Sequence, residues 1–227
     1  MFIIVGSSRA CELSNIDPLR ANRIEVWSLP GGKFLQMKSL VKKHFILNHG
    51  GPATLSPGKP TFYIVAGLCD ITSKIKDRSQ NYTEIIFTEN PDQAISRVLK
   101  DINTLKSYIE NQDAIPVFST IVPCNIEIQN QYLFDRGTTQ YLKYSHKYEE
   151  MQAVLMHVIE NINQEIPIIN SKLHLATPML HRTVFHNKKG KQYFEHSSLR
   201  DGCHAGEKLN TKWAKCLYRA MELNKDQ

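Results

Sequence analysis

Phe2-Ile3-Ile4-Val5-Gly6-Ser7-Ser8 is a run of four apolar residues that stops at a glycine and two serines. The run is too short, and Arg9 follows it too closely, for a signal peptide or a membrane span, so it reads as a buried first strand. Further apolar runs of strand length lie at residues 24–29, 61–66 and 115–122, with a weaker one at 166–170. Longer segments of helical period separate them. After Asn90-Pro91, a cap-like residue with proline at the first helical position, Ile95, Val98, Leu99, Ile102, Leu105 and Ile109 recur at helical spacing. Tyr148, Met151, Val154, Leu155, Val158, Ile159 and Ile162 trace a second stripe, and Leu209, Trp213, Cys216, Leu217, Ala220 and Met221 a third. Another helix is expected from Lys33 to about Phe45. Strands alternating with helices predict an α/β layer fold with a mostly parallel sheet.

The chain has 227 residues, enough for one sizeable core, so a single domain over 1–227 is expected. Its five cysteines, Cys11, Cys69, Cys124, Cys203 and Cys216, are odd in number and form no Cys-x-x-Cys, which speaks against a disulfide framework or a zinc site. A reducing intracellular setting, cytoplasmic or nuclear, fits that usage. The net charge of +6 is open to two readings, an affinity for acidic partners such as nucleic acid, or a solubilising surface. Residues 48–60, 73–90, 123–146 and 181–200 are polar or punctuated by glycine and proline, and are read as long loops where specificity resides.

Chemistry-bearing residues fall at the ends of the predicted strands, where open parallel sheets bind their ligands. Ser8 follows the first strand at a turn whose backbone N–H can face an oxyanion, although Gly-Ser-Ser alone also serves as a helix cap. Pro30-Gly31-Gly32 follows the second, either as an ordinary tight turn or as backbone that comes close to a bound group. Ala66-Gly67-Leu68-Cys69-Asp70 ends the third. There Asp70 caps the next segment or braces the loop behind Ser8, and Cys69 faces the cleft or the core. Asp201-Gly202-Cys203-His204 precedes the last helix. A carboxylate three residues before a histidine can hold one ring nitrogen and leave the other for a serine, or the segment can be a polar capping loop.

Read together, these blocks resemble the SGNH, or GDSL-like, hydrolase superfamily over nearly the whole chain. Ser8 corresponds to the serine of the family's Gly-Asp-Ser block, with Ser7 in place of the aspartate, and Gly32 to the glycine of its second block. Gly67-Leu68-Cys69-Asp70 corresponds to Gly-x-Asn-Asp, and Asp201-Gly202-Cys203-His204 to Asp-x-x-His. The resemblance implies a flavodoxin-like three-layer α/β/α fold with a five-stranded parallel sheet. It implies a serine esterase without cofactor or metal, acting on a small ester, with Ser8, Asp201 and His204 as the catalytic set. The oxyanion donors would come from Ser8, Gly32 and the third-block residue, here Cys69 where the family has asparagine, and a thiol is a weak donor.

A looser similarity, to SGNH-like domains of eukaryotic mobile elements and viruses, runs through Thr177-Pro178-Met179-Leu180-His181-Arg182 and the basic stretch beyond it. Arg182, Lys188, Lys189 and Lys191 are expected to contact an anionic substrate or nucleic-acid phosphates, or to form a solvated loop. The nearby histidines His181, His186 and His196 lack a regular metal-ligand spacing.

Overall fold

The structure is a computed structural model that describes residues 1–49, 59–171, 185–188, 191–194 and 199–223. Its elements run β1 (Phe2–Gly6), α1 (Ser8–Cys11), β2 (Glu25–Ser28), α2 (Phe34–His49), β3 (Thr61–Val65), α3 (Leu68–Ile71), β4 (Ser73–Asp77) and β5 (Tyr82–Ile86). They continue with α4 (Pro91–Glu110), β6 (Ile115–Phe118), α5 (Ile126–Asp135), α6 (Tyr148–Ile169), β7 (Phe185–Lys188), β8 (Lys191–Phe194) and α7 (Glu207–Leu223).

The apolar runs pair as one parallel sheet in the order β2-β1-β3-β6, with Val5 opposite both Trp27 and Ile64, and Ile64 opposite Phe118. Alternation along each strand divides the core. Ile3, Val5, Phe62 and Ile64 face α2, α4 and α6, while Ile4, Tyr63, Val65 and Val117 face α7 and the segment around α1. The result is the expected three-layer α/β/α arrangement. Asn90 caps α4 as its sequence implies, accepting from Asp92 N–H and Gln93 N–H at 3.1 and 3.2 Å ahead of Pro91. No helix among the described residues is long and apolar enough to cross a membrane.

The expected fifth strand is corrected, since the sheet has four strands among the described residues and Ile166 to Asn170 ends helix α6 instead. The edge of β6 is nevertheless satisfied. Asn170 accepts from Phe118 N–H at 2.7 Å and donates to Phe118 C=O at 2.8 Å. About two turns earlier on α6, Asn163 does the same for Ile121, just past the end of β6, at 2.6 and 3.0 Å. Two side-chain amides thus pair the outward backbone groups that a neighbouring strand would otherwise take.

Three of the segments read as loops also hold structure, 181–200 containing the antiparallel pair β7–β8. Residues 73–90 contain the antiparallel hairpin β4–β5, and 123–146 contains α5. Asn130 of α5 grips Ile85 of β5 through both amide atoms, each at 2.7 Å, repeating the device used on β6. The hairpin and α5 stand at the carboxyl end of the sheet, beside the site.

Candidate active site

Gly6 closes β1, and Ser7 N–H bonds to Val65 C=O of the adjacent strand at 3.1 Å, which holds the chain at the sheet edge as it enters α1. Ser8 is the first residue of that short helix, so its side chain leaves the sheet at the carboxyl end. The loop before α7 comes back to the same edge. Gly202 in that loop has φ +79°, and a Cβ there would come within 2.6 Å of Gln129 N and 2.9 Å of Asn125 O, so only glycine fits against the first turn of α5. Asn125 N–H donates to Gly202 C=O at 2.7 Å and fixes that approach.

The two distant segments meet in a chain of hydrogen bonds. His204 Nε2 lies 3.0 Å from Ser8 Oγ, and His204 Nδ1 lies 2.8 Å from Asp201 Oδ2. Asp201 Oδ1 accepts from the backbone N–H groups of Cys203 and His204, at 3.0 and 2.7 Å. Burial alone would raise the Asp201 carboxyl, but the bond from the His204 ring and the two backbone bonds outweigh it and bring the group to about 2. Asp201 is therefore an anion over the whole working range and acts as an acceptor only. Its Oδ2 accepts a hydrogen bond from Nδ1–H of His204, which leaves the lone pair of Nε2 directed at the serine.

An open cleft of about 660 Å³ passes over these atoms, lined by Ser8, Gly31, Cys69, Cys203 and His204 among others. Leu29 to Gly32 forms a tight turn closed by Gly32 N–H on Leu29 C=O at 2.8 Å, with Gly31 at φ +75° in its third position. The Gly32 N–H, expected as an oxyanion donor, is engaged inside this turn, and Gly31 is the glycine of the loop that borders the cleft. Asp70 is buried and accepts from Phe34 N–H, at 3.1 and 3.3 Å to its two oxygens, so it caps α2 and braces the glycine turn. Cys69 takes the cleft-facing alternative. Burial, helped by the neighbouring Cys203 thiol and opposed by Arg9, pushes the Cys69 thiol up, so it stays protonated at neutral pH.

No family model matches the sequence, and no curated protein matches it. Solved structures match it in fold. A GDSL-like lipase from Bacteroides thetaiotaomicron aligns with a TM-score of 0.58 at 13% identity, over 97% of this chain and 87% of the lipase. The OSK domain of Drosophila Oskar aligns at 0.56 and 11%, over 96% of this chain and 87% of that domain. An acetyl xylan esterase aligns at 0.52 and 12%, over 97% and 99% of the two chains. This chain has the SGNH-hydrolase fold.

Within the SGNH fold, one residue that holds the site together was not singled out by the sequence. Arg9, next to Ser8, is buried, and its guanidinium donates to Cys203 C=O from Nε at 3.0 Å and from Nη2 at 2.8 Å. Nη2 also reaches Pro123 C=O at 2.9 Å, and Nη1 donates to Val122 C=O. Among the described residues no carboxylate pairs with it. The only hint in the sequence was a cation placed directly behind a buried strand, and nothing in the pattern says where its guanidinium goes.

Of the expected anion-binding residues, Arg182 and Lys189 lie outside the described residues. Lys188 ends β7 and Lys191 begins β8, paired across that hairpin.

Proposed function

We propose that this chain is a serine ester hydrolase that works through an acyl-enzyme on Ser8. The observation that carries the reading is the unbroken relay Ser8 Oγ, His204 Nε2, His204 Nδ1 and Asp201 Oδ2, with steps of 3.0 and 2.8 Å at the floor of a cleft. Ser8 Oγ attacks the ester carbonyl as His204 Nε2 takes its proton. The resulting imidazolium is stabilised by Asp201, whose carboxylate is already held by two backbone bonds. Collapse of the tetrahedral species expels the alcohol, which leaves with the proton from Nε2. A water activated by the same nitrogen then attacks the acyl-serine and releases the acid.

The oxyanion would sit against Ser8 N–H and the N–H of Gly31, with the Cys69 thiol as a weak third donor. Absence of the amide donor costs ~10²- to 10³-fold in rate, so turnover should be slow and chemistry, not product release, should limit it. Labelling with a fluorophosphonate followed by peptide mapping tests the reading. Ser8 should carry the adduct, p-nitrophenyl acetate should be turned over, and Ser8→Ala and His204→Ala should abolish both. An unlabelled Ser8 together with no ester turnover overturns it.

A further inference from the structure

The cleft over Ser8 has a charge character that the relay does not require. Besides His204, its charged lining residues are Lys33, from the loop entering α2, and Lys74, from β4, and no carboxylate lines it. Both lysines are exposed, and among the described residues neither forms an ion pair. Acids do stand near Lys33 but are engaged elsewhere. Glu89 takes a two-pronged bond from Arg97, at 3.0 and 2.6 Å, and Asp70 accepts from Phe34 N–H. Lys74 lies opposite Ile85 in the hairpin, with Ser73 and Thr72 beside it as further cleft-lining groups. Pro30, Leu68 and Ile85 supply the apolar part of the wall.

A site built for a neutral ester gains nothing from two unpaired ammonium groups at its mouth. They attract anions to the cleft and favour a bound group of negative charge. We infer that the substrate is an ester carrying an anionic group, a carboxylate or a phosphate, on its acyl or alcohol part, with Lys33 and Lys74 holding that group while the carbonyl meets Ser8. The inference rests on the hydrolase reading for the reaction but not for the binding. The apolar wall accommodates a short carbon chain between the charge and the ester.

Two substrate pairs test it: p-nitrophenyl hemisuccinate against p-nitrophenyl butyrate for the acyl side, and p-acetoxybenzoate against its methyl ester for the alcohol side. In at least one pair the charged member should have the higher kcat/KM. Exposed ion pairs are worth little individually, so each of Lys33→Gln and Lys74→Gln should lower the charged-to-neutral ratio by roughly 2- to 5-fold, and about 0.5 M NaCl should compress it similarly. Equal ratios in both pairs, or a preference that survives the double variant, overturn the inference.

A direct binding measurement separates it from the hydrolase reading. Ser8→Ala should bind N-methylsuccinamate more tightly than N-methylbutanamide, and Lys33→Gln and Lys74→Gln in that background should remove the difference. Charge-selective binding without any turnover would sink the hydrolase and keep the anion site. Turnover without charge selectivity would do the reverse.

Discussion

Arg9 and Cys203 are joined by two hydrogen bonds, from Nε and Nη2 to one carbonyl oxygen, across a separation of 194 residues. Arg9 follows the serine and Cys203 precedes the histidine, so the guanidinium clamps the two halves of the relay to each other. It also clamps both to the β6 exit through the carbonyls of Val122 and Pro123.

Arg9→Ala leaves those carbonyls buried without donors, and is expected to cost about 2–5 kcal/mol of stability by urea unfolding. Arg9→Lys is the more telling variant, because a single ammonium cannot reproduce a fork that serves three carbonyls. Measured well below its unfolding midpoint, Arg9→Lys should label more slowly at Ser8 with fluorophosphonate while remaining folded. A folded variant with an unchanged labelling rate would show that the clamp does not set the serine–histidine geometry.

Cys69 stands at the cleft where a stronger donor would favour an oxyanion. Its thiol is uncharged, so it does not repel the oxyanion, but it donates weakly. Cys69→Asn should therefore raise kcat on a short ester by about 10- to 100-fold with little change in KM, since the new bond acts in the transition state. Cys69→Ala should change kcat only slightly. A fall in kcat for Cys69→Asn would mean that another group already occupies the donor position.

The strand ends were legible because short apolar runs stop at glycine and polar residues, as Phe2 to Val5 does at Gly6-Ser7-Ser8. Asp201-Gly202-Cys203-His204 was legible only through its carboxylate–histidine spacing, with a capping loop as the competing reading. Ile166-Pro167-Ile168-Ile169-Asn170 was not, because three β-branched isoleucines read locally as a strand, while the proline disfavours a central strand and a helix interior alike. What decides it is tertiary: Asn163 and Asn170 have to face β6 from a helical stripe, and side-chain pairing with a strand edge leaves no mark on local periodicity. The hairpin β4–β5 was hidden for a related reason. Ser73-Lys74-Ile75-Lys76-Asp77 presents mainly polar residues, and its partner Tyr82-Thr83-Glu84-Ile85-Ile86 buries Glu84 against the hydroxyls of Tyr82 and Tyr148, against the usual polar-out pattern.

Asn170→Leu tests the side-chain edge directly. The substitution keeps the volume roughly and removes both partners of Phe118, whose buried N–H and C=O are then unsatisfied, at an expected cost of about 2–4 kcal/mol. Asn163→Leu should do the same through Ile121. Asn170→Asp should also destabilise, because it retains an acceptor for the N–H but sets a second oxygen against the carbonyl. The urea midpoint should fall in each case with the m-value unchanged, and an unaltered midpoint would show that water replaces the amide at no cost.

Asp70 gives a pH dependence of defined sign. Burial, with a smaller push from Asp101, raises its carboxyl from 3.8 to about 7 against the opposing Phe34 N–H, Lys33 and Arg97. The folded protein therefore holds a proton between about pH 4 and 7 that the unfolded chain has released, and stability declines as pH rises through that window. Above about pH 7 the full cost of a buried charge is present, on the order of a few kcal/mol. Asp70→Asn keeps an oxygen for Phe34 N–H and cannot ionise, so it should be flat across the window and more stable than the parent at about pH 8. Asp201 does not confuse the measurement, because its depressed carboxyl loses its contribution only as pH falls below about 4 toward 2. Urea midpoints at about pH 5 and pH 8 decide the matter: a parent protein as stable at the higher pH as at the lower, or an Asp70→Asn variant with the same decline, would remove Asp70 as the source. A decline confined to the parent would mean that the loop bearing Gly31 and Lys33 is braced most firmly when Asp70 is protonated, and that above about pH 7 the brace carries a buried charge that Phe34 N–H, Lys33 and Arg97 only partly offset.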